Sequence, residues 1–531
     1  MLHSTPYALA ILLPAILVVK FISDYLRNPL RKVPAAHPLA HFTSLWILSV
    51  RWRGVENMTL KEAHDRLGPI VCLGPSEVSV NCVKGGIRDV YAGGFEKGNA
   101  TYNWYGFFAN YGGVSNMFST KHNKPHSARK RMLSNIYSKS VISANESLHA
   151  QISTIIFDRF LPGLERTFSV SEQRGVLNIL SYLSATTMDV VTGYIFGLKA
   201  SSNLIDNPDQ LERFLGLYNS RRAFNFWPQE LPVLTGYLEK WLGYRLTPKW
   251  VDAANGEIED FTMNMCESAE QVLASGGGVH VTDRPVVYRQ LQQALLKEAK
   301  TTGVVLQPTH LASEVLDHLA AGFETSGITL AYVVHELSLN ADIQGRLQHE
   351  LRTLSPPIRR SSTCTLPDAK AVDALPLLHA ILWETLRLHS AIPGPQPRFT
   401  PAQGCTLGPE DQSYFVPGGV RVSASAGLLH LNEHVYEHAA QWRPDRWLNM
   451  EEKEAAKRKD MESRWFWAFG SGGRMCVGSH LAVYQMKYII AALYSNYSTV
   501  VVDDTGIEQT DAYTAPPKSD RLIIGLRKLE L

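Results

Sequence analysis

The chain has 531 residues, of which 45% are apolar and 19% are charged, and its 52 basic residues nearly balance its 50 acidic residues. This composition excludes bulk disorder and predicts a large globular core. The basic residues do not gather into a stripe that could follow a phosphate backbone, so we expect no nucleic acid partner. No Gly/Ser-rich or charged linker divides the chain, which favours one large domain.

The six cysteines are spread along the chain and form no CxxC pair. Their density is too low for a disulfide scaffold, which favours a reducing compartment. A free cysteine is most often a small buried apolar residue, so a special role for any one of them has to follow from its surroundings.

The first predicted element is the apolar run Tyr7–Val19. A helix over residues 7–26 would be about 30 Å long, which is enough to span a hydrocarbon core. A cleaved signal peptide is the competing interpretation, but a charged n-region and an A-x-A-like cleavage site are missing. Basic residues follow the run at Arg27, Arg31 and Lys32, which predicts that the remaining chain lies on the cytoplasmic side.

The chain is thus predicted to have three segments. Residues 1–26 form a membrane anchor, residues 27–54 form a proline-containing hinge, and residues 55–531 form a single domain. The prolines at 29, 34 and 38 stiffen the hinge because each fixes its own φ and disfavours helix at the preceding residue.

The body is predicted to be mainly helical, with a few short strands. Apolar residues recur at three- and four-residue spacing in stretches such as Asn145–Phe160 and Leu377–Leu388. The strand candidates are Ile70–Leu73, Val78–Val80, Gly419–Ser423, Thr499–Val502 and Leu522–Leu526. No repeat of fixed period is present, which argues against a solenoid.

The longest predicted helix begins at Thr309, just after Pro308, and continues to about Leu339 without a stop signal. Its centre reads Ala321-Gly322-Phe323-Glu324-Thr325-Ser326. Within a helix the glycine costs roughly 1 kcal/mol relative to alanine, so the segment needs a reason. Taken alone, the segment has two possible explanations: a functional role, or a close helix crossing with a solvated Glu324.

The last motif is a glycine-rich loop that reads Phe469-Gly470-Ser471-Gly472-Gly473-Arg474-Met475-Cys476-Val477-Gly478, followed by the amphipathic run Ser479–Leu493. The glycines permit positive φ and the close approach of a flat ligand. A thiolate at Cys476 would lie near the amino end of the next helix, where the helix dipole favours negative charge. Phe469 could pack on such a ligand and Arg474 could pair with an anionic group on it. A buried structural cysteine is the alternative.

The order F-x-x-G-x-R-x-C-x-G resembles the haem-binding signature of the cytochrome P-450 family, and it is matched at Phe469, Gly472, Arg474, Cys476 and Gly478. Three further family elements lie upstream of this motif in the expected order, so the resemblance covers essentially the whole chain. It implies the cytochrome P-450 fold, mainly α with small β-sheets, here preceded by one transmembrane helix. It also implies a haem b cofactor whose iron is ligated by Cys476.

The first upstream element, Glu384-Thr385-Leu386-Arg387, resembles the family's E-x-x-R helix, and Trp442–Trp447 resembles the segment that brings a second arginine to it. The resemblance implies that Glu384, Arg387 and Arg446 form a buried structural triad behind the haem. Removing one member would strand a charge at a cost of about 3–5 kcal/mol. A surface i,i+3 pair between Glu384 and Arg387 is the alternative.

The centre of the long helix resembles the family's oxygen-binding sequence A-G-x-[DE]-T-[TS]. The resemblance implies that Ala321 and Gly322 leave room beside the iron for dioxygen. It also implies that Glu324 and the Thr325 hydroxyl are catalytic and pass protons to the distal oxygen. Asp317 precedes Thr325 by eight positions, close to two helical turns, and could line the same pocket.

Arg398 and Arg474 are implied to be partners of the haem propionates. The family's W-x-x-x-R pair on an early helix is replaced here by His126 and Lys130. Both can donate to a carboxylate, although lysine lacks the bidentate fork of arginine. A solvated basic helix face is the alternative interpretation.

Two aromatic clusters coincide with the family's flexible substrate loop and its access lid. They are Tyr102, Trp104, Tyr105, Phe107, Phe108 and Tyr111, and then Phe224, Phe226 and Trp227. They indicate a hydrophobic small-molecule substrate, although aromatic residues in an ordinary core are the alternative. The stretch Asp317–Gly322 resembles filamentous-fungal members of the family, many of which oxidise secondary metabolites.

The resemblance implies a monooxygenase, because a thiolate ligand favours O–O cleavage. No nucleotide-binding G-x-G-x-x-G is present, so electrons are expected from an NADPH-dependent flavoprotein reductase in the same endoplasmic reticulum membrane. A haem-thiolate isomerase or dehydratase that consumes no O2 is the alternative, and a non-catalytic haem sensor or carrier is a third. The pair Glu324 and Thr325 argues against both alternatives.

Overall fold

The computed structural model describes residues 19–530 except 21, 24, 101, 171–174, 276–277, 360–363 and 449–451. The described chain is mainly helical with small sheets, which confirms that part of the predicted fold class. The predicted anchor falls largely on residues 1–18, 21 and 24, which lie outside the described residues. Within the described ranges, we find no helix that combines the length and the apolar character needed to span a bilayer.

The helices of the described residues are α1 Leu45–Trp52, α2 Glu56–Leu67, α3 Arg88–Ala92, α4 Asn123–Leu133, α5 Lys139–Ala144, α6 Glu146–Thr154, α7 Leu161–Val170, α8 Ile179–Phe196, α9 Pro208–Ser220, α10 Phe226–Glu230, α11 Pro232–Leu242, α12 Lys249–Ala274, α13 Val286–Thr302, α14 Pro308–Leu339, α15 Ala341–Leu351, α16 Ala369–Asp373, α17 Pro376–Leu388, α18 Ala426–His430, α19 Glu452–Asp460 and α20 Ser479–Asn496. Short 3-10 helices join several of them, among them Trp104–Phe108, Arg221–Phe224, Pro444–Trp447 and Gly472–Arg474.

The strands are β1 Ile70–Gly74, β2 Glu77–Val80, β3 Val176–Asn178, β4 Arg398–Phe399, β5 Cys405–Leu407, β6 Tyr414–Val416, β7 Arg421–Ala424, β8 Tyr497–Asp503 and β9 Ile523–Lys528. The first sheet has the order β1-β2-β7-β4, in which only the β2–β7 pair is parallel. The second sheet has the antiparallel order β3-β9-β8, and β5 and β6 form a hairpin. All five strand candidates overlap observed strands, whereas β3, β4 and the hairpin were not predicted.

Helix α14 crosses the centre of the molecule and begins one residue before the predicted Thr309. Pro308 is its first residue, where the missing N–H costs no helical hydrogen bond. The His310 ring accepts from the Gln307 N–H at 3.1 Å as part of a capping box. These local signals explain why the sequence predicted this helix so closely.

Helices α14 and α8 pack closely against each other in the main core. The Thr187 hydroxyl on α8 donates to the Phe323 carbonyl on α14 at 2.9 Å. A Cβ added at Gly322 would lie 2.8 Å from Val191 of α8, closer than real contacts allow. Gly322 therefore permits the close helix crossing of one interpretation left open by the sequence, but Glu324 is buried and not solvated as that interpretation held.

Part of the predicted hinge packs on the first sheet. The Cys72 N–H on β1 donates to the Pro34 carbonyl at 2.8 Å, and the Ala36 N–H returns a bond to the Cys72 carbonyl at 3.0 Å. Ile47 and Val50 of α1 are buried in a small apolar cluster beside the same sheet. The described residues of this segment are thus attached to the body by backbone bonds and by apolar contacts.

Candidate active site

Cys476 lies on the loop between the 3-10 helix Gly472–Arg474 and helix α20. Its N–H donates to the Phe469 carbonyl at 2.9 Å, which closes the loop on itself. Gly472 has a φ of +71°, and a Cβ there would lie 2.9 Å from Ala92 of α3. Glycine is therefore required at this position both for the backbone conformation and for the close approach of α3.

Cys476 has accessible surface although protein atoms surround its thiol, a combination that an internal cavity beside the loop would produce. Burial raises the pKa of the thiol, whereas the N–H groups of Gly478 and Ser479 and the Lys130 ammonium lower it. A Cβ added at Gly473 or Gly478 would meet only open space. The loop thus presents a sulfur atom at the amino end of α20 with free volume around it.

Lys130 of α4 braces this loop. Its Nζ donates to the carbonyls of Gly473 at 3.0 Å and Met475 at 2.8 Å. The ammonium group is therefore directed to the backbone of the cysteine loop, whereas the sequence predicted it as a partner of a propionate.

Arg398 of β4 carries a nitrogen that has no partner. Its Nη1 donates to the Tyr105 hydroxyl and, at 2.9 Å, to the Pro397 carbonyl. Its Nε is buried and bonds to nothing among the described residues. A buried guanidinium N–H without an acceptor is costly, so this atom indicates a ligand acceptor at this place.

Arg474 is fixed by the chain around it and lies in a group of cations. It donates to the Asn123 side chain at 3.0 Å and to the carbonyls of Thr120 at 2.8 Å and Lys121 at 3.2 Å. Burial, together with four neighbouring cations, lowers the pKa of His126 to about 3; the cations are Arg474, Lys97, Lys130 and Arg398. The residues predicted to contact propionates therefore converge, together with Lys97, which the sequence did not single out.

One stripe of α14 faces the cavity. Between residues 311 and 335 of this helix the residues with accessible surface are Asp317, Ala320, Ala321, Gly322 and Thr325, and all others are buried. Spacings of three and four residues place Asp317, Ala320, Ala321 and Thr325 on one helix face, whereas Gly322 lies at the edge of that face, toward α8. The Thr325 hydroxyl donates to the Ala321 carbonyl at 2.7 Å, so its oxygen can still accept a hydrogen bond from the cavity side.

Glu324 points away from this stripe into a polar cluster. Its carboxylate accepts from the Tyr218 hydroxyl at 2.9 Å, from Arg222 at 3.0 Å and from the Thr514 hydroxyl at 2.9 Å. Arg222 also donates to Asp520 at 2.8 Å, whose side chain is 44% exposed. The chain therefore links the Glu324 carboxylate to solvent through Arg222.

Glu384, Arg387 and Arg446 are in contact. Arg387 bonds Glu384 through two nitrogens at 2.7 and 2.9 Å, and Arg446 Nε bonds it at 2.9 Å. The Trp447 indole N–H adds a bond at 2.8 Å, and both members of the Glu384–Arg387 pair have side chains that are 0% exposed. The geometry excludes a surface ion pair.

The predicted substrate loop forms one aromatic network that includes residues from elsewhere. Trp104 packs edge-on against Tyr105 with ring centroids 4.9 Å apart, and Phe108 contacts Phe118 at 5.0 Å. Tyr513, near the carboxy terminus, contacts Trp104 at 5.4 Å. No local pattern in the sequence indicated that Phe118 and Tyr513 belong to this group.

Comparison with known proteins gives a consistent result. The sequence profile described as Cytochrome P-450 matches residues 38–523. Cytochrome P-450 monooxygenase hkm5 of Aspergillus hancockii is 25% identical over 94% of this chain and 91% of its own length. The monooxygenase avaI of Aspergillus versicolor is 28% identical over 81% of this chain and 95% of its own length. Fusicoccadiene C-8 hydroxylase of Alternaria brassicicola is 25% identical over 92% of this chain and 88% of its own length.

Proposed function

Because this chain belongs to the cytochrome P-450 family and is a haem-thiolate monooxygenase, we propose that Cys476 is the residue that ligates the iron of haem b. The observation that carries this assignment is that Cys476, at the amino end of α20, has accessible surface although protein atoms surround its thiol, as expected for a residue beside a ligand chamber. The haem, when bound, supplies the activation of O2 and the transfer of one oxygen atom to substrate.

The residues around the cavity suit this cofactor. The open space beside Gly473 and Gly478 can accommodate a flat ring. The unpaired Arg398 Nε–H can donate a hydrogen bond to a carboxylate of that ligand. We assign the ring contacts to Phe469, Gly472, Gly478, Ala321 and Gly322, and the propionate contacts to Arg398, Arg474 and His126. Lys130 belongs to the same site as a brace of the cysteine loop. Glu384, Arg387 and Arg446 hold the structure behind it.

The distal residues Thr325 and Glu324 are proposed to deliver protons. The Thr325 hydroxyl lies on the stripe that faces the cavity and can accept and pass on a hydrogen bond there. Glu324 is adjacent in sequence and connects to solvent-exposed Asp520 through Arg222. We propose that the Glu324 side chain, which points away from the stripe in this structure, turns toward the Thr325 hydroxyl to deliver a proton and returns to the surface cluster to recover one.

The enzyme uses O2 and a redox partner reductase and acts on a small molecule. We propose an NADPH-dependent flavoprotein reductase as that partner. The aromatic network around Trp104 and Phe108 supports a hydrophobic substrate. One relative is named for hydroxylation of fusicoccadiene, and the others are fungal monooxygenases, which supports a role in secondary metabolism.

Membrane attachment at the endoplasmic reticulum is proposed through residues 1–26, with residues 27–54 as the connection and residues 55–531 as a cytoplasmic catalytic domain.

An exposed apolar patch supports a second membrane contact. Val233, Tyr237, Trp241 and Leu242 of α11 are 56–73% exposed, and so are Leu45 and Trp52 of α1 at 71% and 63%. Helix α10, which precedes α11, is joined to α1 by an ion pair between Glu230 and Arg51 at 3.2 Å. We define these six residues as the apolar patch.

The test begins with the purified protein and its haem. We expect the ferrous carbon monoxide adduct to absorb at the long wavelength typical of a thiolate ligand, and Cys476→His to abolish that band. The matched control is Cys405→Ser on β5, which should retain the band. Survival of the band in Cys476→His would refute the assignment. Product formation that needs neither NADPH nor O2 would favour the isomerase or dehydratase instead.

A further inference from the structure

Glu314 is a buried carboxyl group on α14 that the proposed function does not use. Its side chain is 0% exposed, although glutamate is rarely buried completely. It lies seven positions before Ala321 and eleven before Thr325, which is about two and three helical turns, so it shares the helix face of the accessible stripe. The accessible residues of that stripe begin at Asp317, whereas Glu314 is covered. A covered carboxyl group needs hydrogen-bond partners, and these identify what covers it.

The partners of Glu314 come from two other parts of the chain. The Met117 N–H, in the loop after the Trp104–Phe108 helix, donates to the two carboxyl oxygens at 3.1 and 3.3 Å. Arg129 Nη1 on α4 donates to one of these oxygens at 3.2 Å. Among the described residues these are the groups that donate to Glu314. Its carboxyl group therefore joins the loop and α4 to α14.

The other polar group nearby leaves these bonds in place. His318, one turn further along α14, has its Nε2 3.9 Å from a Glu314 oxygen, beyond hydrogen-bond distance. Its Nδ1 is hydrogen-bonded to the Tyr137 hydroxyl at 2.8 Å. Burial raises the pKa of Glu314 to about 8. The carbonyl oxygen of the neutral acid can still accept from the Met117 N–H, so the contact with the loop does not depend on ionisation.

The loop around Met117 is held at neighbouring points as well. The hydroxyl of Ser313, the residue before Glu314, donates to the Val114 carbonyl at 2.8 Å. Asn116 and Ser119 are buried and close a turn between them, with bonds of 2.9 Å from the Asn116 N–H to the Ser119 hydroxyl and 2.8 Å from the Ser119 N–H to the Asn116 side chain. Residues 114–119 therefore form a compact arm that is attached to α14.

Phe118 is the next residue after Met117 in this arm, and it keeps accessible surface. Its ring belongs to the aromatic network, because the ring centroids of Tyr105 and Tyr513 lie 5.3 and 6.1 Å from its own. The bond between Glu314 and the Met117 N–H fixes the peptide that precedes Phe118. The position of this ring relative to α14 therefore depends on Glu314.

We propose that Glu314 is a positioning residue for the substrate: by binding the Met117 peptide it holds Phe118 as one wall of the cavity beside the α14 stripe. This inference rests on the proposed function, in which that cavity receives haem and substrate. Glu314 should then determine how well extended apolar molecules fit. Ligands that are confined to the space at the iron should be indifferent to it.

The test uses the haem-loaded protein and two azoles that bind the haem iron, imidazole and 4-phenylimidazole, each titrated by the shift of the haem absorption band. A loop that is no longer held has to be ordered when the phenyl ring binds, which costs affinity, whereas imidazole is too small to need it. Glu314→Ala should therefore weaken 4-phenylimidazole binding by at least about fivefold and imidazole binding by less than about twofold. Glu314→Gln keeps an acceptor for the Met117 N–H, so it should stay within about twofold of the wild type for both azoles.

Asp189→Ala is the matched control, because Asp189 of α8 is also 0% exposed and also holds a loop by its backbone. Its carboxylate accepts from the N–H groups of Leu204 at 2.8 Å and Ile205 at 3.2 Å. Since this is a different loop, Asp189→Ala should lower the thermal stability without changing the ratio of the two azole affinities. An unchanged ratio in Glu314→Ala, or an equal change of the ratio in Asp189→Ala, would overturn the inference.

If either alanine variant fails to fold, Glu314→Met and Asp189→Leu replace the pair with the same expectations, because they fill more of the volume of the lost side chains. Equal weakening of both azoles by Glu314→Ala would mean that the variant disturbs the haem itself, and it would also overturn the inference. Failure of the wild-type protein to bind haem would instead refute the proposed function.

Discussion

The two sides of the proposed haem cavity are built differently. On the side of Cys476, the loop is closed by its own backbone bond and braced by Lys130, and the Glu384 triad proposed to support this side is fully bonded. On the opposite side, the α14 stripe presents accessible residues such as Ala321 and Thr325. Its surroundings come from distant segments, including Phe118 and Tyr513. The side of Cys476 fixes an atom in place, and we call it the fixed side. The α14 side leaves room for ligands, and we call it the accommodating side.

The largest expected effect breaks the fixed side. Glu384→Gln removes the only negative charge of the triad and leaves two buried arginines uncompensated. Breaking such a buried group costs about 3–5 kcal/mol, so we expect a clear fall in thermal stability and loss of haem during purification. Thermal unfolding followed by circular dichroism, with the haem content of each preparation, measures this.

The control for this prediction is Glu437→Gln, because the Glu437 side chain is 75% exposed and its ion-pair candidate, the exposed His438 ring, lies 3.9 Å away. Surface ion pairs contribute little, so this variant should unfold like the wild type. Equal stability of both variants would mean that the triad does not support the cysteine side.

An intermediate effect concerns the accommodating side. Thr325→Ala should leave the fold and the haem content nearly unchanged, because alanine gains helix propensity and the cavity created is small. Without the hydroxyl, protons are delivered less reliably, so more NADPH should be consumed per product and hydrogen peroxide should account for the difference. General acid steps contribute roughly 10²–10⁴-fold, so we expect the product rate to fall at least about tenfold.

Thr329→Ala is the matched control one turn further along α14. Its hydroxyl makes the equivalent bond, to the Thr325 carbonyl at 2.9 Å, but the residue is 1% exposed and does not face the cavity. In this variant, NADPH consumption should remain coupled to product formation. If Thr325→Ala gives the wild-type ratio of product to NADPH, Thr325 has no part in proton delivery.

The smallest expected effect concerns membrane binding by the molecular surface, away from both sides of the cavity. Deletion of residues 1–26 should weaken membrane binding without changing haem content, while the apolar patch retains part of it. Adding Trp241→Glu and Leu242→Glu should reduce the remaining vesicle binding by at least about tenfold, since even one large apolar side chain contributes roughly 1.5–3 kcal/mol when it is fully buried. Flotation with phospholipid vesicles at high salt measures this.

Leu296→Glu provides the control in the same deletion background, because Leu296 is 45% exposed on α13 and does not belong to the patch. It should leave vesicle binding unchanged. Equal loss from both sets of variants would indicate that the effect reflects general surface polarity, and that the patch is not a membrane contact.

The sequence predicted the fixed side best because its signals are local. Glycine positions, the spacing of Glu384 and Arg387 on one helix face and the start of α20 at Ser479 all follow from neighbouring residues. The long helix was predicted to within one residue at its start for the same reason.

The accommodating side depends on contacts between distant parts of the chain. Glu324 meets Arg222 and Thr514 only after folding, and the burial of Lys97 has no sequence signal because isolated lysines are usually exposed. Lys130 was expected to contact a propionate, but its direction is decided by the carbonyls of a loop more than 340 positions away.

The crossing of α14 and α8 has a practical consequence for attempts to redirect the enzyme to other molecules. Gly322 is held against Val191, so a larger residue there would force the two helices apart and break the bond between Thr187 and the Phe323 carbonyl. Its neighbour Ala321 faces the cavity, and a larger residue there would narrow the chamber while the helix stays in place. Libraries that reshape the chamber should therefore vary position 321 and hold position 322 constant.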